Sequence, residues 1–244
     1  MNKYLWVAFS IVFLVLISYF VNFYIILGYE ISSDSSVWGT LGDYVGGILN
    51  PSLSFISIVL LIKSLTLQNE ANLSLREELK NTERIERLRS FEILFFNMVE
   101  SQRKLFDSFK IVCEDNDALR EFIGSEAVIK IESDIDGIRM IGGGDDMIRC
   151  HIESLDHNDQ IFGLLRAFYV TVMVISDKLS DQAGFGAEDR RSYYQTLINF
   201  TDFSFLRMVL INVQFMDYES SKYLRNLEEF KDVIRDLGLD QKKY

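Results

Sequence analysis

Residues 38–62 read WGTLGDYVGGILNPSLSFISIVLLI, an apolar stretch loaded with glycine, serine, asparagine and the chain's one proline. In water this would make a weak helix, because glycine, serine and proline all disfavour a helical interior. In a bilayer the same residues are at home. Small side chains let helices approach closely, and neighbouring groups satisfy the backbone that proline frees. Stepped by three and four, one face carries Thr40, Asp43, Gly47, Asn50, Ser54 and Ser57, while the other faces carry Ile48, Leu49, Phe55, Ile56, Ile58, Val59 and Ile62. That step is the 3.5-residue seam of a left-handed helix pair.

Residues 5–27 form a second apolar run, broken only by small or weakly polar side chains and Asn22. At 1.5 Å per residue it extends about 34 Å, enough for a hydrocarbon layer of roughly 30 Å. A cleaved signal peptide would have a shorter apolar region and a small-x-small cleavage site. Asn22-Phe23-Tyr24-Ile25 offers none. The expected first domain, residues 1–63, is therefore a transmembrane hairpin with spans at about 5–27 and 38–62. Lys3 precedes span 1, and Glu30 and Asp34 lie between the spans with no basic residue; Lys63, Arg76, Lys80, Arg84, Arg87 and Arg89 follow span 2. The bias of basic residues toward the cytoplasm places both termini there. Trp6, Trp38, Tyr4, Tyr29 and Tyr44 lie near the span ends, where amphipathic rings settle.

Two readings of the polar stripe stand. In one it packs against span 1 or a neighbouring subunit, with Gly42 and Gly46 allowing close approach and Pro51 introducing a kink. In the other it lines an aqueous path in an oligomer, since polar groups inside a bilayer are costly and mark such paths. Asn22 and Asp43 lie at matching depth and are expected to share a hydrogen bond.

The pattern Trp38-Gly39-x-x-Gly42-Asp43-x-x-Gly46-Gly47-x-x-Asn50-Pro51, followed by an apolar span, resembles the phage abortive infection family of bacterial membrane proteins. Phe91-Glu92-x-x-Phe95-Phe96 is similar to the pattern of a helix that follows the second span in that family. Residues 163–169 (GLLRAFY) and 193–197 (YYQTL) fall where related helices are expected, although Leu164 stands where the family carries a histidine. The resemblance implies inner-membrane location, a homo-oligomer, and a defence role in which an infected cell stops growing or dies before phage spreads. It also implies a regulatory partner, because such two-span proteins act as membrane-damaging effectors beside retron reverse transcriptases. A reverse transcriptase–msDNA complex is one such partner. The other reading is a membrane-anchored sensor whose helical domain recognises a phage product or a partner protein.

Beyond the hairpin the expectation is all-α: a long stalk helix over 64–110, then a helical cytosolic domain over 111–244. Residues 65–109 contain no glycine or proline, and good helix formers dominate. Residues 114–158 are acidic and glycine-bearing and are expected to be loop-rich, with a short strand at 127–131. Helices are expected at 161–179, 190–199, 203–216 and 220–237, with Asp202 capping the third. Phe162, Leu165, Phe168, Tyr169, Val172, Leu197, Phe200, Phe205, Leu206, Val209, Leu210, Val213, Leu224, Leu227 and Phe230 are the expected core.

The net charge of −11 argues against sequence-specific nucleic-acid binding, which needs a basic surface. Cys113 and Cys150 are too few for a disulfide framework. Cys150, His151, Asp156, His157 and Asp159 match no zinc spacing. The run from Glu132 through Asp134 and Asp136 to Gly137 opens like a calcium loop, but Gly143 stands where a bidentate glutamate belongs. Gly142-Gly143-Gly144 lacks the lysine and hydroxyl of a phosphate cradle, and no nucleophile sits beside a base. The chain reads as a non-enzyme without cofactor or metal.

Overall fold

The computed structural model describes residues 2–28, 30, 32–115, 118–156, 158–239 and 244. Tyr29 and His157 fall outside the described residues, as does the side chain of Tyr4. The chain divides into two compact units, residues 1–80 and 81–244. Among the described residues there are nine α-helices and one two-stranded sheet.

In the first unit, α1 (Asn2–Phe20) continues as a π-helical turn, Val21–Ile26. The backbone N–H of Leu27 donates to the carbonyl of Asn22, five residues back, at 3.1 Å. The chain re-enters helix at α2 (Ser35–Asp107). Asp34 starts that helix, accepting from the Ser36 N–H at 2.9 Å and the Ser36 hydroxyl at 3.2 Å, which satisfies a donor left over at a helix N-terminus. α2 runs through Pro51 and through residues 63–65 without a break, so the second span and the following segment are one helix rather than two elements. Nothing between Ile62 and Phe109 supplies a glycine or proline stop. Both α1 with its π turn and α2 are long and apolar enough to cross a membrane, and no residue of their most apolar 18-residue windows is buried inside the chain.

The second unit starts with the last part of α2, followed by β1 (Lys110–Asp115) and β2 (Ala118–Ile123). The described residues are nearly all helical, as expected; this antiparallel hairpin is the exception, and it shortens the helix that was expected to reach residue 110. Alternation explains it: Ile111 and Phe122, paired across the strands, are buried, while Val112 and Ile123 point outward. Residues 114–158 also depart from the loop-rich expectation. They contain β2, α3 (Ser125–Met140) and α4 (Asp145–Leu155), and residues 127–131 are helical rather than a strand. Ala127, Val128, Ile131 and Ile135 recur at helical spacing on the buried face of α3. The glycines are a stop signal, not a loop. Gly142 has φ +81° and donates to the Arg139 carbonyl at 3.0 Å, and Gly143 donates to the Ile138 carbonyl at 2.8 Å. This is the left-handed helix ending that glycine favours.

Helices α5 (Gln160–Lys178), α6 (Ala187–Phe200), α7 (Phe203–Phe215), α8 (Glu219–Asn226) and α9 (Glu228–Asp236) complete the unit. The expected helix over 220–237 is thus two helices, parted at Leu227. Asp202 caps α7 through the N–H groups of Ser204 and Phe205. The expected core residues are mostly buried, but the core also takes in Phe91, Phe95 and Phe106 of α2, Val128, Ile131 and Ile135 of α3 and Ile148 and Ile152 of α4, which the sequence reading left out. Phe162, Tyr169 and Leu227 are half-buried, and Phe200 is 65% exposed because it ends its helix at the surface. α5, and the bent pair α6 and α7 taken together, also pass as membrane-spanning on length and composition. In this chain α5 buries Leu164, Leu165, Phe168, Val172 and Ile175 in the core of the second unit.

Candidate functional site

The polar stripe lies on α2 within the first unit, and its geometry turns on which face meets α1. Half-buried residues recur along α1 at Ala8, Ile11, Val12, Val15 and Tyr19. Along α2 they recur at Leu41, Val45, Leu49, Ser52, Ile56 and Val59. The rings of Tyr19 and Tyr44 meet at 5.6 Å, joining the two helices. At about 100° per residue the half-buried face of α2 lies about 180° from the centre of the stripe. Thr40, Asp43, Gly47, Asn50, Ser54 and Ser57 are all exposed. The packing reading is therefore corrected in one respect: α1 lies against an apolar seam and not against the stripe.

The glycines agree with this. A Cβ built at Gly39, Gly42 or Gly47 would meet nothing within 4 Å, and one at Gly46 would meet only the Asn50 side-chain nitrogen at 3.6 Å. The close approach expected of Gly42 and Gly46 is not made within this chain.

The hydroxyls of the span divide into satisfied and unsatisfied groups. Thr40 donates to the Ser36 carbonyl, Ser52 to Ile48 and Ser57 to Leu53, at 2.8–2.9 Å. These bonds to the preceding turn let a hydroxyl sit in an apolar medium. Among the described residues no group hydrogen-bonds the side chains of Asp43, Asn50 or Ser54. The expected bond between Asn22 and Asp43 is not formed; Asn22 lies in the π-helical turn and is exposed. Pro51 adds to the demand, because it has no N–H to offer the carbonyl of Gly47 four residues back. An acid, an amide, a hydroxyl and a backbone carbonyl thus cluster on one exposed helix face.

The second motif lies in the other unit, and its four residues divide between core and surface. Phe91 and Phe95 are buried, whereas Phe96 is 48% exposed. Tyr193 of α6 organises the buried pair. Its ring meets Phe91 edge-on at 4.9 Å and Phe95 at 5.5 Å, and its hydroxyl donates to Glu92 Oε1 at 2.6 Å. Burial, and then the bond to the Glu92 carboxylate, hold the Tyr193 phenol well above its ordinary pKa. About two turns earlier, Arg84 donates to the Gly184 carbonyl at 3.0 Å and lies over the Phe185 ring at 5.1 Å. Phe96 meets only the exposed Phe200 edge-on at 6.3 Å among these rings outside its own helix. Tyr193 and Arg84 were missing from the sequence-derived set. Tyr193 lies 101 residues from Glu92, and no periodicity links residues so far apart.

The residues with ligand chemistry are engaged in the fold. His151 Nε2 lies 3.1 Å from Asp134 Oδ2, and Lys130 Nζ lies 2.7 Å from Asp134 Oδ1. Glu132 pairs with Arg207 at 2.5 Å. The acidic run expected to be a flexible loop is therefore a face of α3 knit to its neighbours. Asp156 accepts from the N–H groups of Ile161 and Phe162 at 2.8 and 2.9 Å, at the start of α5; burial raises its pKa against those bonds. Cys150 is exposed and Cys113 half-buried, and neither is in a disulfide. No family model matches the chain, and neither the curated proteins nor the solved structures contain a match to it.

Proposed function

We propose that this chain is an antiphage effector of the bacterial inner membrane, with both termini in the cytoplasm. On activation it assembles with further copies of itself and permeabilises the bilayer, so that the infected cell dies before phage spreads. One observation carries this reading: Asp43, Asn50 and Ser54 stand unpaired on the face of α2 turned away from α1. In hydrocarbon an unpaired polar group costs several kcal/mol on the order of its transfer free energy. A second copy of the stripe, or water held between copies, removes that cost. The motif resemblance supplies the biological setting. α2 is common to both units, so a change at the Glu92–Tyr193 contact has a covalent route to the stripe. The trigger acts on residues 81–244, either directly or by release of a regulatory partner such as a reverse transcriptase–msDNA complex.

Expression from a tight inducible promoter, with membrane potential and dye entry followed in the presence and absence of phage, tests the reading. Prompt depolarisation is expected. Asp43→Leu, Asn50→Leu and Gly47→Leu should each abolish it while the protein still inserts. Retained toxicity in all three would sink the stripe as the working face. Exchange of residues 1–63 for an unrelated anchor should also abolish killing; a tethered recognition module would tolerate the exchange.

A further inference from the structure

The turn end of the hairpin forms a cavity of about 480 Å³, and five of its ten lining residues are aromatic. Tyr19, Phe23 and Tyr24 line it from α1 and the π-helical turn, Trp38 and Tyr44 from the first turns of α2, and Glu30 from the connection. Several of these rings are held in place. Tyr19 stacks on Phe23 with centroids 4.4 Å apart and touches Tyr44 at 5.6 Å. The indole N–H of Trp38 donates to the Ser32 carbonyl at 3.0 Å, which fixes the first residue of the glycine-rich motif against the connection. Among the described residues no group bonds the hydroxyls of Tyr19, Tyr24 or Tyr44.

The electrostatics of this cavity have one sign. Between Lys3 and Lys63 the sequence has no lysine, arginine or histidine, and its charges are Glu30, Asp34 and Asp43. Asp34 is engaged in starting α2, which leaves Glu30 as the carboxylate at the cavity. Ring faces carry negative quadrupole potential and attract cations. An anion has no donor cation here. A divalent metal ion would need several oxygen ligands, whereas the cavity offers one carboxylate among rings. An organic ammonium satisfies both: its charge meets Glu30 and its methylene or methyl groups meet the ring faces. The volume falls in the range of small-molecule sites, about 300–1,000 Å³.

The position of the cavity names the source. It lies at the end of two helices apolar enough to cross a membrane, which is the depth of the headgroup layer. We propose that the cavity binds the ammonium headgroup of a zwitterionic phospholipid, with the ammonium between Trp38, Tyr44 and Glu30 and the phosphate toward the free tyrosine hydroxyls. The inference needs the hairpin to lie in a bilayer but is independent of what the stripe does.

The test uses the full chain in detergent micelles. Trp6→Phe leaves Trp38 as the one tryptophan, since the chain has two, so its emission reports on the cavity. Titration with short-chain phosphatidylethanolamine should give a saturable change, while phosphatidylglycerol of the same chain length should give none. Glu30→Gln and Tyr44→Leu should each weaken binding by about tenfold, with helicity by circular dichroism unchanged. Tyr24→Phe, which keeps the ring, should weaken it less than either. An equal response to phosphatidylglycerol would overturn the proposal and reduce the rings to general interfacial anchors. Tetramethylammonium binding as tightly as the lipid would overturn the lipid assignment in favour of a free organic cation. Absence of saturation with any of the three probes, or binding unchanged in both Glu30→Gln and Tyr44→Leu, would overturn the site itself.

Discussion

The apolar hairpin and the unit of residues 81–244 treat polar side chains in opposite ways. In the larger unit most buried polar side chains make at least one bond, although Gln102 Oε1, Arg207 Nε, Asn212 Oδ1 and Ser220 Oγ find no partner among the described residues. Gln102 donates to the Ala167 carbonyl, Asn212 to Met208 and Ser221 to Asn212. Arg190 holds Glu229 through two nitrogens at 2.7 Å each and also reaches the Leu179 carbonyl. In the hairpin the apolar side chains form the intramolecular contact, and Asp43, Asn50 and Ser54 are left facing outward without partners. One unit buries an extensive core of its own. The other is complete only when its surroundings supply what the chain does not. On the function proposed above, a core polar group answers to folding stability and a stripe group to assembly and activity.

That contrast can be broken at several points. Phe95 has no exposed surface, so Phe95→Ala should cost about 3–5 kcal/mol of stability. Phe96→Ala, one position on, should cost well under about 1 kcal/mol. Chemical denaturation of the two variants measures both, and equal losses would mean that the motif is not divided between core and surface. Tyr194 is fully buried, and burial pushes its phenol from 10.0 up to about 12. The folded state thus holds the neutral form, giving stability that is present below pH 10 and lost as pH climbs toward 12. The loss should be about 2 kcal/mol and should shrink in Tyr194→Phe; stability curves from pH 8 upward check the sign.

Gly143→Ala tests whether the glycine run is a helix stop. An added Cβ would come within 2.4 Å of Ile138 Cγ2 and 2.8 Å of the Ile138 carbonyl oxygen. A cost of about 1–3 kcal/mol is expected, whereas Gly144→Ala, whose Cβ meets nothing within 4 Å, should cost less. In the hairpin, Asn50→Leu should leave insertion and helicity intact and weaken self-association in vesicles by about tenfold, on the order of 1–2 kcal/mol. Energy transfer between labelled copies reads this directly, and unchanged transfer would separate the stripe from assembly. A smaller effect, about 1 kcal/mol from the lost cap of α7, is expected at Asp202→Ala.

What could be read from the residues alone follows the range of the interaction that sets each feature. Apolar runs of membrane length, the Asp202 cap and the helices α5 to α7 are local, and they stand close to where hydropathy and capping place them. The stripe was legible as a periodicity, but a period says only that two faces differ. That α1 takes the Leu41, Val45 and Leu49 side and leaves Asp43 and Asn50 outward depends on a contact between separate segments. The strand pair at 110–123 was hidden because helix formers precede it and acidic residues surround it. The α3–α4 region was hidden because the same glycines suit a loop or a helix stop. Glu92 and Tyr193 each lie in a stretch that the resemblance singled out, but no local signal joined residues 101 positions apart.

The π-helical turn at Val21–Ile26 has a further consequence for how this chain tolerates change. Five-residue bonding holds one more residue in the turn than an α-helix of the same rise. Removal of a single residue there lets the turn relax to four-residue bonding without orphaning a carbonyl. Elsewhere in α1 a deletion rotates every later side chain by about 100° and breaks its register with α2. The turn is therefore the place where the length of this apolar helix can vary by one residue between sequence variants, and gaps in an alignment of such variants should fall there.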